Sequence, residues 1–156
     1  MNTQAKKFML TKQGYEHLQD EYQDLVKIKR EEVVDRIERA REFGDLAENS
    51  AYDSAKEEQS LIEARIADLE EVLHKAQVVQ LPLSKDIIII GSTVLVEMNN
   101  EIHEFSIVGS MEADPAENKI SNESPVGKSL LGLKVSESIE VALGPVKSQI
   151  KVLEIK

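Results

Sequence analysis

From Tyr52 to Ala76, residues recur at alternating spacings of three and four. They are Tyr52, Ala55, Gln59, Ile62, Ile66, Leu69, Leu73 and Ala76, with Gln59 the one polar member. This is the period of a coiled-coil seam. It constrains the fold strongly, because a helix with a single apolar stripe needs a second stripe to cover it. The preceding segment supplies one. Thr11 is placed to cap a helix, and Tyr15, Leu18, Tyr22, Leu25 and Ile28 follow at spacings of 3, 4, 3 and 3. Ile37 and Ala40 resume the stripe after a slip near Val33 and Val34. No proline interrupts the chain between Met1 and Gln80, and Gly44 offers a helix stop. A chain that turns back at Gly44 forms an antiparallel helical hairpin. Its first helix of about 30 residues would be roughly 45–50 Å long. Such a hairpin has no core of its own at the tip, and its length suits reach.

Beyond Leu81-Pro82 the period shortens to about two, as in strands. Ile87–Ile90, Thr93–Met98, Glu104–Val108, Ser138–Leu143 and Gln149–Ile155 read as strands. Asn99-Asn100, Gly109, Asp114-Pro115 and Gly144-Pro145 mark turns between them. Ser124 and Pro125 open one short helix, as N-cap and first helical residue, which ends before Gly132. The expected fold class is α+β. A coiled-coil hairpin occupies residues 1–80 and a small globular domain residues 81–156.

Composition excludes several functions. The chain has no cysteine, so a disulfide framework, thiol nucleophile or zinc–thiolate site is impossible. His17, His74 and His103 are scattered without metal-ligand spacing, and no nucleophilic triad is visible. The net charge is −10, which removes the broad positive field used for non-specific nucleic-acid binding. Nucleic-acid contact is therefore expected to be local or made through a partner. The longest apolar run, Ile87–Ile90, is too short to span a bilayer, and the first ten residues lack a signal-peptide core. A cytoplasmic protein without membrane contact is expected. Gly127-Lys128-Ser129 resembles the end of a phosphate-binding loop, but Asn122 stands where that motif needs glycine.

The hairpin turn contains two acids three residues apart, Asp45 and Glu48. They form an Asp variant of the capping box, and both suit a helix N-terminus. At an exposed tip the same carboxylates are also hard oxygen donors. They would hold a cation such as Mg²⁺ only where another molecule supplies the remaining ligands. Arg41 and Lys56 lie near this turn, where a cation can meet phosphate. The other bases of the first helix alternate with acids, as on a solvated, salt-bridged face.

The run AREFGDLAENSAYDSAKEEQ, residues 40–59, resembles the signature of GreA-type transcription elongation factors. Thr11 with Gly14, Arg65-Ile66 with Leu69-Glu70, and Ala76 with Val78 agree with it. IVGSMEADPAENKIS (107–121) and SPVGKSLLG (124–132) resemble the family's C-terminal half. The resemblance implies a coiled-coil hairpin joined to a domain similar to an FK506-binding protein. It also implies a partner, bacterial RNA polymerase, whose secondary channel the hairpin enters. Asp45 and Glu48 would there help hold an Mg²⁺ shared with the polymerase, with no metal bound by the factor alone. The polymerase would then cut a backtracked RNA near its 3′ end. The resemblance implies that the factor would stimulate that reaction and would not itself be the nuclease. Asn49 and Tyr52 would shape the turn, and Arg41 and Lys56 would orient RNA phosphate. Glu123, Ser124 and Pro125 match the region that docks on the polymerase. Two positions depart from the pattern: Ala47, where the family often has a base, and Ala51, where it usually has an acid. No prolyl isomerase activity is expected, since Phe105 is the domain's only aromatic.

Nothing in the sequence indicates self-association, and a monomer is expected. Two rivals share parts of this pattern. One is a channel-entering inhibitor of the same architecture, and the other is a coiled-coil chaperone or adaptor whose tip acids are only a cap.

Overall fold

The computed structural model describes residues 7–42, 49–80 and 85–156. These divide into two compact units, Glu16–Lys75 and the combination of Met1–Tyr15 with Ala76–Lys156.

The first unit is the hairpin. Helix α1 (Lys12–Asp24) passes through a π-helical turn, Leu25–Lys29, into α2 (Arg30–Glu42), and α3 (Asn49–His74) runs back. The cap is made as expected, with Thr11 Oγ1 accepting the Gly14 N–H at 3.0 Å. Val33, Ile37, Ala55, Ile62 and Ile66 form the buried seam, flanked by Tyr22, Leu25, Val26 and Tyr52. The π turn explains the slip in the first stripe. One extra residue in the helical ladder rotates the following turns, so Val33 is buried and Ile28 is 48% exposed. Ile28 is therefore not a seam residue, contrary to the sequence pattern. The second stripe also ends early. Val72 is buried, Leu73 is half-buried, and Ala76 has left the helix.

Ala76 instead begins a three-residue strand. Strands β1 (Phe8–Leu10) and β2 (Ala76–Val78) pair in parallel, Phe8 opposite Ala76 and Leu10 opposite Val78. Both belong to the second unit, which takes in Met1–Tyr15 as well as Ala76–Lys156. Two strands this short carry no readable alternation.

The remainder is a five-stranded sheet in the order β5-β4-β3-β7-β6. Its members are β3 (Thr93–Met98), β4 (Glu101–Val108), β5 (Lys119–Ser121), β6 (Ser138–Leu143) and β7 (Val146–Ile155). All neighbours are antiparallel except β4 and β5. Asn99 and Asn100, with φ of 55° and 64°, make the two-residue turn between β3 and β4. Val94, Val96, Ile107, Ile150, Val152 and Leu130 form the core, with Leu130 supplied by helix α4 (Pro125–Leu130). The pairing of β3 with β7 shifts between Leu95 and Val96, which leaves Leu153 without a partner in register. That bulge moves inward-facing positions from even to odd numbers and buries Ile155.

Ile87–Ile90 is not a strand. Ile88 inserts its side chain in the core, while its N–H donates to Leu133 O at 2.9 Å and its carbonyl accepts the Gly132 N–H at 2.8 Å. Apolar content alone made this connector look like a strand.

The hairpin seam holds most of the chain's helix, so circular dichroism at 222 nm reports on it. Ile66→Ala removes a side chain only 3% exposed. It should cost about 2–5 kcal/mol of hairpin stability, read as an earlier thermal transition at that wavelength.

Candidate functional site

Residues on both sides of the hairpin turn fall at opposite helix ends. Arg41 lies in the last turn of α2 and Tyr52 in the first turn of α3. The Arg41 guanidinium sits over the Tyr52 ring, 5.7 Å from its centroid, a cation–π contact joining the two strands of the hairpin beside its turn. Lys56 is engaged along its own helix, its Nζ donating to Gln59 Oε1 at 2.8 Å. Asn49 is the first residue of α3. Asp45 and Glu48 lie outside the described residues, as do Gly44 and Ala47. The sequence places Arg41 and Lys56 near the tip and the resemblance adds Asn49 and Tyr52; of these the fold brings Arg41 and Tyr52 into contact.

Behind the tip, ion pairs bridge the helices. Arg36 Nη2 meets Glu58 Oε1 at 2.6 Å. Arg30 grips Glu63 with two bonds of 2.7 and 2.8 Å. Arg65 does the same to Glu21 at 2.7 and 2.9 Å. Tyr22 donates to Glu70 Oε1 at 2.9 Å. Exposed pairs add little stability, but two-point arginine–carboxylate bonds have narrow geometry and fix the register of α3 against the first helix. The sequence showed these bases alternating with acids and did not show which acid each base would meet.

The expected docking region lies around the start of α4. Glu123 and Pro125 are exposed, and Ser124 is half-buried. Ser124 Oγ accepts the Gly127 N–H at 3.0 Å and donates to Ser121 O at 2.7 Å. Ser124 therefore holds the loop and cap in shape, while Glu123 and Pro125 face solvent. Gly127 has to be glycine, since a Cβ there would sit 2.0 Å from Ser121 O. Lys128 and Ser129 lie inside the helix, with Ser129 Oγ bonded to Pro125 O. This geometry excludes a phosphate-binding loop.

Among the described residues no group of three or more His, Asp or Glu is placed to hold a metal ion. None of the helices described is long and apolar enough to cross a membrane. The half-buried Glu112, which holds Thr11, was missed by sequence reasoning. It stands 101 residues from its partner, and no local pattern could reveal that pairing.

The architecture is that of an α+β protein with an antiparallel helical hairpin and a small sheet domain. Residues 8–78 match the family model "Transcription elongation factor, N-terminal", and residues 83–156 match "Transcription elongation factor, GreA/GreB, C-term". The transcription elongation factor GreA of Clostridium acetobutylicum is 47% identical, covering 99% of both chains. That of Caldanaerobacter subterraneus subsp. tengcongensis is 50% identical over 97% of this chain and 99% of its own. The crystal structure of GreA factor homolog 1 of Thermus thermophilus is 30% identical, covering 97% of this chain and 99% of that one, with a TM-score of 0.46. The chain belongs to the GreA/GreB family of transcription elongation factors.

The arginine–carboxylate pairs make the hairpin acid-sensitive. The Arg65 hydrogen bond holds the Glu21 carboxyl below its ordinary 4.5, and Arg30 does the same for Glu63. A carboxyl with a lowered folded-state pKa contributes stability above the unfolded value and loses it as pH falls through the folded one. Hairpin stability should therefore decline on acidification below about pH 4.5. In Glu21→Gln with Glu63→Gln, thermal midpoints plotted against pH should decline less steeply over that range.

Proposed function

We propose that this factor stimulates transcript cleavage by bacterial RNA polymerase, with the hairpin carrying Asp45 and Glu48 through the secondary channel to the polymerase active site. The observation that carries the reading is the hairpin itself. Two helices remain paired up to the Arg41–Tyr52 contact, and the residues between them in sequence include the acidic pair. The relatives' names as elongation factors support the same direction.

The donor set fits a hard divalent cation. Two carboxylates three residues apart offer oxygen ligands too few for a closed site, which suits Mg²⁺ held jointly with the polymerase. When held there, Mg²⁺ would stabilise charge on the attacking and leaving oxygens of the scissile phosphate. The factor's own residues have simpler tasks. Asp45 and Glu48 provide the carboxylates, Arg41 and Lys56 meet phosphate of the backtracked RNA 3′ end, and Asn49 and Tyr52 hold the turn. Glu123, Ser124 and Pro125 form part of the docking surface. The nuclease is the polymerase, and the factor acts in the cytoplasm as a monomer.

The test uses a stalled, backtracked elongation complex with labelled RNA and Mg²⁺. Asp45→Asn and Glu48→Gln should each reduce stimulated cleavage about 10–100-fold, the range seen when a metal site loses a supporting group. Their cost to the fold should be well under about 1 kcal/mol, since Asn caps a helix as well as Asp and Gln replaces Glu in a capping box. Cleavage that survives both changes would refute the assignment. Inhibition of elongation without cleavage by the wild type would favour the channel-entering inhibitor.

A further inference from the structure

The first helix of the hairpin carries one residue more than its partner matches. On α3, Glu63 and Glu70 stand seven residues apart. Seven residues make about two α-helical turns, so both face one side. Their partners on the first helix, Arg30 and Tyr22, stand eight apart. Eight residues of unbroken α-helix overshoot two turns by about 80° and would swing one partner away. The π turn Leu25–Lys29 takes up the extra residue, closed by the Arg30 N–H donating to Leu25 O. Tyr22 therefore reaches Glu70 at 2.9 Å while Arg30 holds Glu63 at 2.7 and 2.8 Å.

The sequence also suits a second placement of that extra residue. A plain α-helix running on through Leu25 would put Ile28 on the stripe of Leu18, Tyr22 and Leu25, at spacings of 4, 3 and 3. In the structure the π turn comes before Ile28 is reached. Val26 packs against the seam, and Ile28 stands 48% exposed between exposed Lys27 and Lys29. Moving the turn to just beyond Ile28 would exchange the two side chains and leave Val33 and Ile37 in place. Burial alone favours that exchange, since Ile is one methylene larger than Val. The observed register must therefore be held by something the other one lacks. Arg30 is the first residue past the turn and would rotate away from Glu63. Lys29, seven residues from Tyr22, would take its place. A lysine offers a single charged point, whereas the arginine fork grips the carboxylate at two.

We propose that the first helix of the hairpin has two registers, exchanged by moving the π turn past Ile28, and that the Arg30–Glu63 fork latches the one observed. Ile28 is a solvent-facing apolar side chain in one register and a seam residue in the other. Every group involved lies within the hairpin unit.

The chain has no cysteine, so single thiols can report which residue faces water. Ile28→Cys and Val26→Cys are made separately, since cysteine behaves as a small hydrophobe in either place. Each is placed in three full-length backgrounds: wild type, Lys29→Arg with Arg30→Gln, and Arg36→Gln. The paired change moves the fork back by one residue and should latch the second register. Arg36→Gln breaks a comparable bridge, to Glu58, away from the turn. The rate of modification by a small water-soluble maleimide is measured in each. In the wild-type background Ile28→Cys should react faster than Val26→Cys. In the paired background the order should reverse, with Val26→Cys quickening about ten-fold, as when a state populated at about 10% becomes the major one. Arg36→Gln should leave both rates unchanged. Without reporter cysteines, nuclear Overhauser contacts from the Ile28 methyl protons to α3 should be absent in the wild type and present in the paired variant. An unchanged order in the paired background would overturn the proposal. So would both thiols quickening together, which is a loosened hairpin, or the same reversal in Arg36→Gln, which would remove the latch from Arg30.

Discussion

Val33, Ile37, Ala55, Ile62 and Ile66 leave water together, and the hairpin depends on that shared burial. Each helix offers a single stripe, so neither can be stable without the other. Everything outside the seam is free to be charged. The arginines at positions 30, 36 and 65 use that freedom to lock the register with Glu63, Glu58 and Glu21. A seam that fixes register also fixes which residues flank the turn, and the Arg41–Tyr52 contact is the outcome at that end.

Charge is distributed very unevenly. Residues 16–75 contain 18 acids and 9 bases, a net −9 out of −10 for the chain. A hairpin this acidic is repelled by nucleic acid over any distance at which charges are felt. Long-range attraction to nucleic acid therefore cannot place it. Placement must come from a docked partner and from the rigidity of the helices. On the sheet domain Glu123 and Pro125 are exposed.

Much of this was legible in the sequence because it follows from periodicity. The α3 stripe from Tyr52 to Leu69, the Thr11 cap, the Ser124-Pro125 helix start and the strand Thr93–Met98 all depend on nearby residues, and all were found. Features missed or misread depend on distant partners or on helical geometry. The π turn left only a slip in spacing at Val33, and Ile28 was misassigned to the seam for that reason. Strands β1, β2 and β5 have three residues each and exist through their neighbours. Ile87–Ile90 had a strand's composition, but Ile88 serves as a plug between β-structure and α4. Arg41 and Tyr52 were singled out separately and not as a contacting pair, and the partner of Thr11 was not legible. The tip acids themselves, Asp45 and Glu48, were singled out by sequence and lie outside the described residues.

The central claim is that the hairpin turn reaches the RNA 3′ end inside the polymerase. The absence of cysteine from the chain makes a direct measurement possible. A single cysteine at Ala47→Cys, and in a separate protein at Ser138→Cys on the sheet domain, would be offered to a backtracked elongation complex. Its RNA carries a thiol-reactive 3′ nucleotide, and Mg²⁺ is withheld so that cleavage does not remove it. The account predicts crosslinking from position 47 and none from position 138, with loss of the crosslink when the RNA is not backtracked. Crosslinking from position 138 alone, or from neither position while both proteins remain bound to the polymerase, would contradict it.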